Sequence, residues 1–142
     1  MTALKTMLVF ATALLTAGCS NSPSTEQIEF VTWGQGLPKD AKIVAWKESG
    51  FTQDPKEFLI FDTTSAGCAE FAQKYSDGAT LDELLTSRTE IKGARSTGTY
   101  ADRIPDIPWD LTTISNGRFF QREQTTGFLS IDIDKNRVYL FR

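Results

Sequence analysis

The chemistry open to this chain is bounded first by a residue it lacks. There is no histidine among its 142 residues. That removes Ser-His-Asp and Cys-His nucleophilic catalysis, histidine-based zinc hydrolysis and the commonest pH switch. Two cysteines are present, Cys19 and Cys68, and Cys68 has no histidine to generate its thiolate. Carboxylate, Lys, Tyr or Ser-Lys chemistry is what remains. With 18 Asp and Glu residues, some carboxylate pair at a useful separation is expected by chance. Glycan cleavage would also need one of the pair raised in pKa by an apolar pocket.

Two short motifs invite a ligand and fail on inspection. Asp132, Asp134 and Asn136 begin like a calcium loop, but Arg137 stands where the loop needs Gly and the twelfth position would fall beyond Arg142. A hairpin turn explains the same residues. Trp33-Gly34-Gln35-Gly36 is a lone GxG without a third glycine, a following helix or a correctly spaced acidic residue. A turn suffices there too, and neither a metal nor a cofactor is expected. Recognition chemistry is richest between Ser96 and Asp110. Arg95, Tyr100, Arg103, Asp106, Trp109 and Asp110 supply residue types enriched at binding hot spots. Tyr100, Arg103 and Trp109 are therefore the candidate partner-binding residues. The competing reading is a solvated loop that Trp109 and Ile107 pin to the core.

The N-terminal stretch carries a different chemistry. Met1 and Lys5 give a positive start, Thr6 to Ala17 is mostly apolar and uncharged, and Ala17-Gly18 place small side chains before Cys19. The apolar run is shorter than the ~20 residues a bilayer span needs. The run Leu14-Leu15-Thr16-Ala17-Gly18-Cys19 resembles the lipobox of bacterial lipoproteins, with Thr16 where such motifs usually carry Leu. That resemblance covers only the first 20 or so residues. It implies removal of residues 1–18, a diacylglyceryl thioether and an acylated amine on Cys19, and a place in the bacterial cell envelope. Ser20, rather than Asp, after the cysteine implies the outer membrane. One acyl chain binds a membrane marginally, whereas two or more hold a protein stably.

Composition beyond the signal suits one domain of roughly 120 residues, large enough to bury about two-thirds of its unfolded surface. Net charge is -3 for the whole chain, with Lys and Arg scattered. No basic stripe of the kind nucleic acid requires is present. If lipidation consumes Cys19, Cys68 is left without an internal disulfide partner. It is then a buried small hydrophobe, a free thiol or half of an intermolecular bridge.

The elements that must position these residues follow from period and punctuation. Residues 19–27 comprise the lipidated Cys19 and a short polar linker interrupted by Pro23, and 28–142 form a single globular domain. Eight linker residues span at most ~29 Å, which keeps the domain near the bilayer. Ile28–Trp33, Lys42–Lys47 and Glu57–Asp62 are predicted strands. Cys68, Phe71, Ala72 and Tyr75 recur at helical spacing and Gly78 marks a stop. Thr80-Leu81-Asp82-Glu83 has the form of a capping box opening a second short helix with Leu81, Leu84 and Leu85. Thr89–Arg95 is a further strand candidate, and Ser96–Asp110 reads as a long loop. Asn116-Gly117 predicts a tight hairpin between strands at Leu111–Ser115 and Arg118–Glu123. Alternation at Leu129, Ile131 and Ile133, the turn Asp134-Lys135-Asn136 and the run Val138–Phe141 complete a C-terminal meander.

The expected architecture is α+β: a mostly antiparallel sheet with a C-terminal β-meander and two short helices packed on one face. The expected function is that of a membrane-anchored envelope lipoprotein, more a non-enzymatic binding or accessory module than an enzyme. Its partners would be the bilayer, through acylated Cys19, and an envelope protein or glycan. The alternatives are a small carboxylate-dependent enzyme acting on cell-wall glycan, or a plasmid- or phage-borne exclusion or inhibitor lipoprotein.

Overall fold

The computed structural model describes residues 22–49, 56–85, 103–104, 106–123, 125 and 127–142. The chain is α+β, as expected. Its first element is a helix, α1 (Thr25–Val31), followed by strands β1 (Lys42–Ser49) and β2 (Lys56–Asp62) and helix α2 (Ser65–Tyr75). A 3₁₀ turn at Leu81–Glu83 precedes a two-stranded hairpin of β3 (Arg103–Ile104) and β4 (Trp109–Asp110) and a second 3₁₀ turn at Leu111–Thr113. Strands β5 (Gly117–Gln121), β6 (Phe128–Asp132) and β7 (Arg137–Phe141) form the predicted meander. The main sheet is antiparallel throughout, in the order β1-β2-β7-β6-β5.

Strand alternation divides the core in two. One face presents Leu59, Phe61, Leu129, Ile131, Val138 and Leu140, covered by Val31 of α1, by Cys68, Phe71, Ala72 and Tyr75 of α2, and by Leu84. The other presents Phe58, Ile60, Phe119, Phe128, Tyr139 and Phe141, covered by Ile104, Trp109, Leu111 and Ile114. The continuous apolar run of β2 is explained by this double cover: Glu57 to Phe61 are all buried.

Four expectations change at the level of local structure. Ile28–Trp33 is helical rather than extended over most of its length. The Ser24 hydroxyl accepts from the Gln27 amide and the Gln27 side chain accepts from the Ser24 amide. This reciprocal cap satisfies two otherwise orphaned donors and outweighs the β-leaning Ile-Glu-Phe-Val-Thr run. The helix also takes in Thr25, Glu26 and Gln27, three residues of the predicted linker. Leu111–Ser115 is a 3₁₀ turn, because the Asp110 carboxylate accepts from the Thr112 amide and caps it. Asn116 therefore closes no two-residue hairpin; its amide donates to the Asp134 carboxylate at 2.9 Å. The capping box at Thr80–Glu83 is present but starts a single 3₁₀ turn, after which Leu85 pairs with Phe119 at the β5 edge.

Candidate functional site

The predicted partner-binding residues separate in space. Trp109 lies in β4 at 1% exposure, edge-on to Phe58 (5.2 Å), Tyr139 (5.6 Å) and Phe128 (5.9 Å). Its ring is in the core, where the pinned-loop reading put it, and offers no recognition surface. Arg103 sits opposite Asp110 in the same hairpin and is exposed. Its Nε is 3.1 Å from an Asp110 carboxylate oxygen and its Nη2 donates to the Thr112 hydroxyl at 3.4 Å. Hydrogen bonds from Thr112 hold the Asp110 carboxyl below the usual range, with Arg103 adding to the effect. Tyr100 and Cys19 lie outside the described residues, as do Arg95 and the strand candidate at Thr89–Arg95.

Cys68 is a buried free thiol on the sheet-facing side of α2, 2% exposed. Burial pushes its pKa up to about 11, with the nearby Asp40 and Asp62 adding to it. A thiol held protonated in this way is packing material rather than a nucleophile. The acidic turn between β6 and β7 is likewise spoken for. Asp132 accepts from the Lys135 amide at 3.3 Å, and Asp134 accepts from Asn116. Among the described residues no three metal-ligating side chains come together.

Among the described residues, the two larger clefts carry carboxylates. One, of about 360 Å³, is lined by Asp40, Lys42, Asp62, Thr63 and Thr64. There Arg137 binds Asp62 through two hydrogen bonds of 2.6 and 3.0 Å, and the Thr63 hydroxyl donates to Asp40 at 2.9 Å. Hydrogen bonds from Thr64 and Thr63 hold the Asp40 carboxyl below its ordinary pKa, which suits a structural anion and not a general acid. The other cleft, of about 400 Å³, is bounded by Trp33, Asp77, Phe120, Arg122 and Glu123. Arg122 reaches Asp77 at 3.6 Å. Among the described residues, the carboxyl whose pKa is pushed up, to about 7, is Glu57, through burial first and the charge of Glu48 second. Glu57 is 5% exposed and borders neither cleft. The acid that glycan chemistry would need and the carboxylates in the clefts are therefore in different places.

Three residues that sequence reasoning passed over organise the region beside α1. Glu48, Glu57 and Arg142 form a row across β1, β2 and the end of β7. Glu48 pairs with Glu57, and Glu57 exchanges backbone hydrogen bonds of 2.6 and 3.0 Å with Arg142. Residues paired this way share a sheet face, here the face of Leu59 and Phe61 on which α1 lies. The Arg142 guanidinium stacks on Trp33 (3.7 Å) and Phe30 (3.9 Å) and donates to the Phe30 carbonyl at 2.6 Å. A cation on the last carbonyls of a helix is favourable. The available signal was the clustering of Phe30 and Trp33 at the end of a capped helix; the arginine that meets them is 112 positions away and leaves no trace in local spacing. No family model, curated protein or solved structure matches the chain.

Proposed function

We propose that this protein is a lipoprotein of the bacterial cell envelope, held at the outer membrane by acylated Cys19, and that its domain is a binding or accessory module. The observation that carries the reading is the charge, apolar run and small-residue pattern that ends at Cys19. The fold supplies a compatible tether. Four residues lie between Cys19 and the Ser24 cap of α1, so the linker spans at most ~18 Å and the domain rides close to the bilayer. A domain whose raised carboxyl is sealed away from its clefts is better suited to contact than to acid catalysis. The β3–β4 hairpin that carries Arg103 covers the sheet face opposite the one that α1 packs on. The partner is an envelope protein or a glycan.

Metabolic labelling with a palmitate analogue tests the anchor. The wild-type chain should incorporate the label and Cys19→Ser should not. Equal labelling of the two would remove the lipoprotein reading.

A further inference from the structure

The row Glu48–Glu57–Arg142 lies where the tether helix meets the sheet. We propose that α1 is a pH-controlled latch, docked while the Glu57 carboxyl is protonated and released when it ionises.

The geometry leaves an ionised Glu57 poorly accommodated. Its Oε2 is buried with no hydrogen-bond partner among the described residues. Glu48 of β1 is its direct cross-strand neighbour, a like charge on the same face. Arg142 faces it from the other side, and that guanidinium also holds the end of α1 through the Phe30 carbonyl and the Trp33 ring. A buried carboxylate draws Arg142 toward itself and away from α1. From α1 the neighbouring groups are Gln27, whose amide donates to Glu48 at 3.2 Å, and the rings of Phe30 and Trp33. The helix's own acids, Glu26 and Glu29, are exposed. Arg122 lies over Trp33 at 4.9 Å.

The helix is built to let go. Of its seven residues only Val31 is buried. Trp33, just past its end, takes a left-handed backbone at φ 56°, a conformation strained for a bulky residue. That strain is relieved once the helix unwinds. Release would lengthen the chain between Cys19 and β1 to 22 intervening residues, a reach of at most roughly 80 Å. This consequence for reach rests on the lipid anchor; the latch itself does not.

The test is a series of ¹H–¹⁵N spectra of the full chain, from well below to well above pH 7. In the wild type the Trp33 indole N–H and the α1 amides should move together to unfolded positions as pH rises, while α2 amides stay in place. Glu57→Gln should keep α1 docked throughout. Glu48→Gln removes the like charge but keeps a carbonyl oxygen that can accept from Gln27, so it should lessen the strain of ionisation in the docked state and move the midpoint to higher pH; a midpoint unchanged in Glu48→Gln would contradict the proposal even if Glu57→Gln failed to fold. Wild-type α1 resonances that hold their positions across the range would overturn it, as would a wild-type transition retained in Glu57→Gln. Because anchoring is read by labelling and the latch by these spectra, each can fail alone.

Discussion

At the end of α1 the chain turns through Trp33 and Gly34, and at the end of α2 through Asp77 and Gly78. In both, a non-glycine residue takes the left-handed position (φ 56° and 57°) and the next glycine closes the turn with an amide bond back into the helix, Gly34 to Glu29 and Gly78 to Gln73. In both, a sheet arginine donates to a late helix carbonyl: Arg142 to Phe30, Arg122 to Tyr75. The two helices differ in what lies beneath. α2 buries Gly67, Cys68, Phe71, Ala72 and Tyr75, whereas α1 buries Val31. The same terminal device thus finishes a helix that the core already holds, and supplies much of the hold on a helix that the core barely touches.

The largest effect should come from the side of the comparison where burial dominates. Phe71 packs edge-on to Phe61 at 5.2 Å and is 2% exposed. Phe71→Ala should cost about 3–5 kcal/mol, read as a lowered denaturation midpoint for the whole domain. A loss confined to α2 amides would mean that α2, like α1, is separable from the sheet.

Glu57→Gln should change stability in a pH-dependent way. Between the ordinary glutamate value of 4.5 and about 7, the folded chain keeps a proton that the unfolded chain has lost, so stability falls as pH rises through that window. The full shift corresponds to a ceiling of about 3 kcal/mol, which solvent screening brings to about 1–2 kcal/mol. The variant should therefore be more stable than wild type at pH 8 and equal to it below pH 4.5. Urea melts at the two pH values check this, and equal curves at pH 8 would contradict it.

Arg142→Gln should cost about 1–2 kcal/mol, the scale of a desolvated cation–π contact with one charge-assisted hydrogen bond. Its mark should be loss of α1 signals ahead of global melting. The smallest effect is expected at Arg103→Ala. An exposed ion pair contributes little to stability, so Tm should be unchanged. Recovery of a crosslinked partner from intact envelopes should fall if the β3–β4 hairpin is the contact surface; full recovery would leave Arg103 a structural role only.

The parts of this fold that could be read from sequence are those whose determinants are close together. The meander was visible in the alternation of Leu129, Ile131 and Ile133, and α2 in the spacing of Cys68, Phe71 and Tyr75. Burial of Cys68 followed from the same spacing. The strand expectation at Ile28–Trp33 weighed side-chain type over the Ser24–Gln27 cap, which was equally local and decided the outcome. The Asn116-Gly117 hairpin gave way to the 3₁₀ turn that the Asp110 carboxylate caps at Thr112. Arg142, Glu57 and Trp33 were illegible because their meeting depends on β2 pairing with β7, a contact between distant segments that no local pattern encodes.

Hydrogen exchange on the wild-type chain tests most directly whether α1 is the separable element. At one pH, α1 amides should exchange through an opening much less costly than global unfolding, while the α2 and β6–β7 amides exchange together near the global limit. Equal protection of α1 and α2 would contradict the account, because it would show that the tether helix is as firmly part of the core as the helix that buries Phe71.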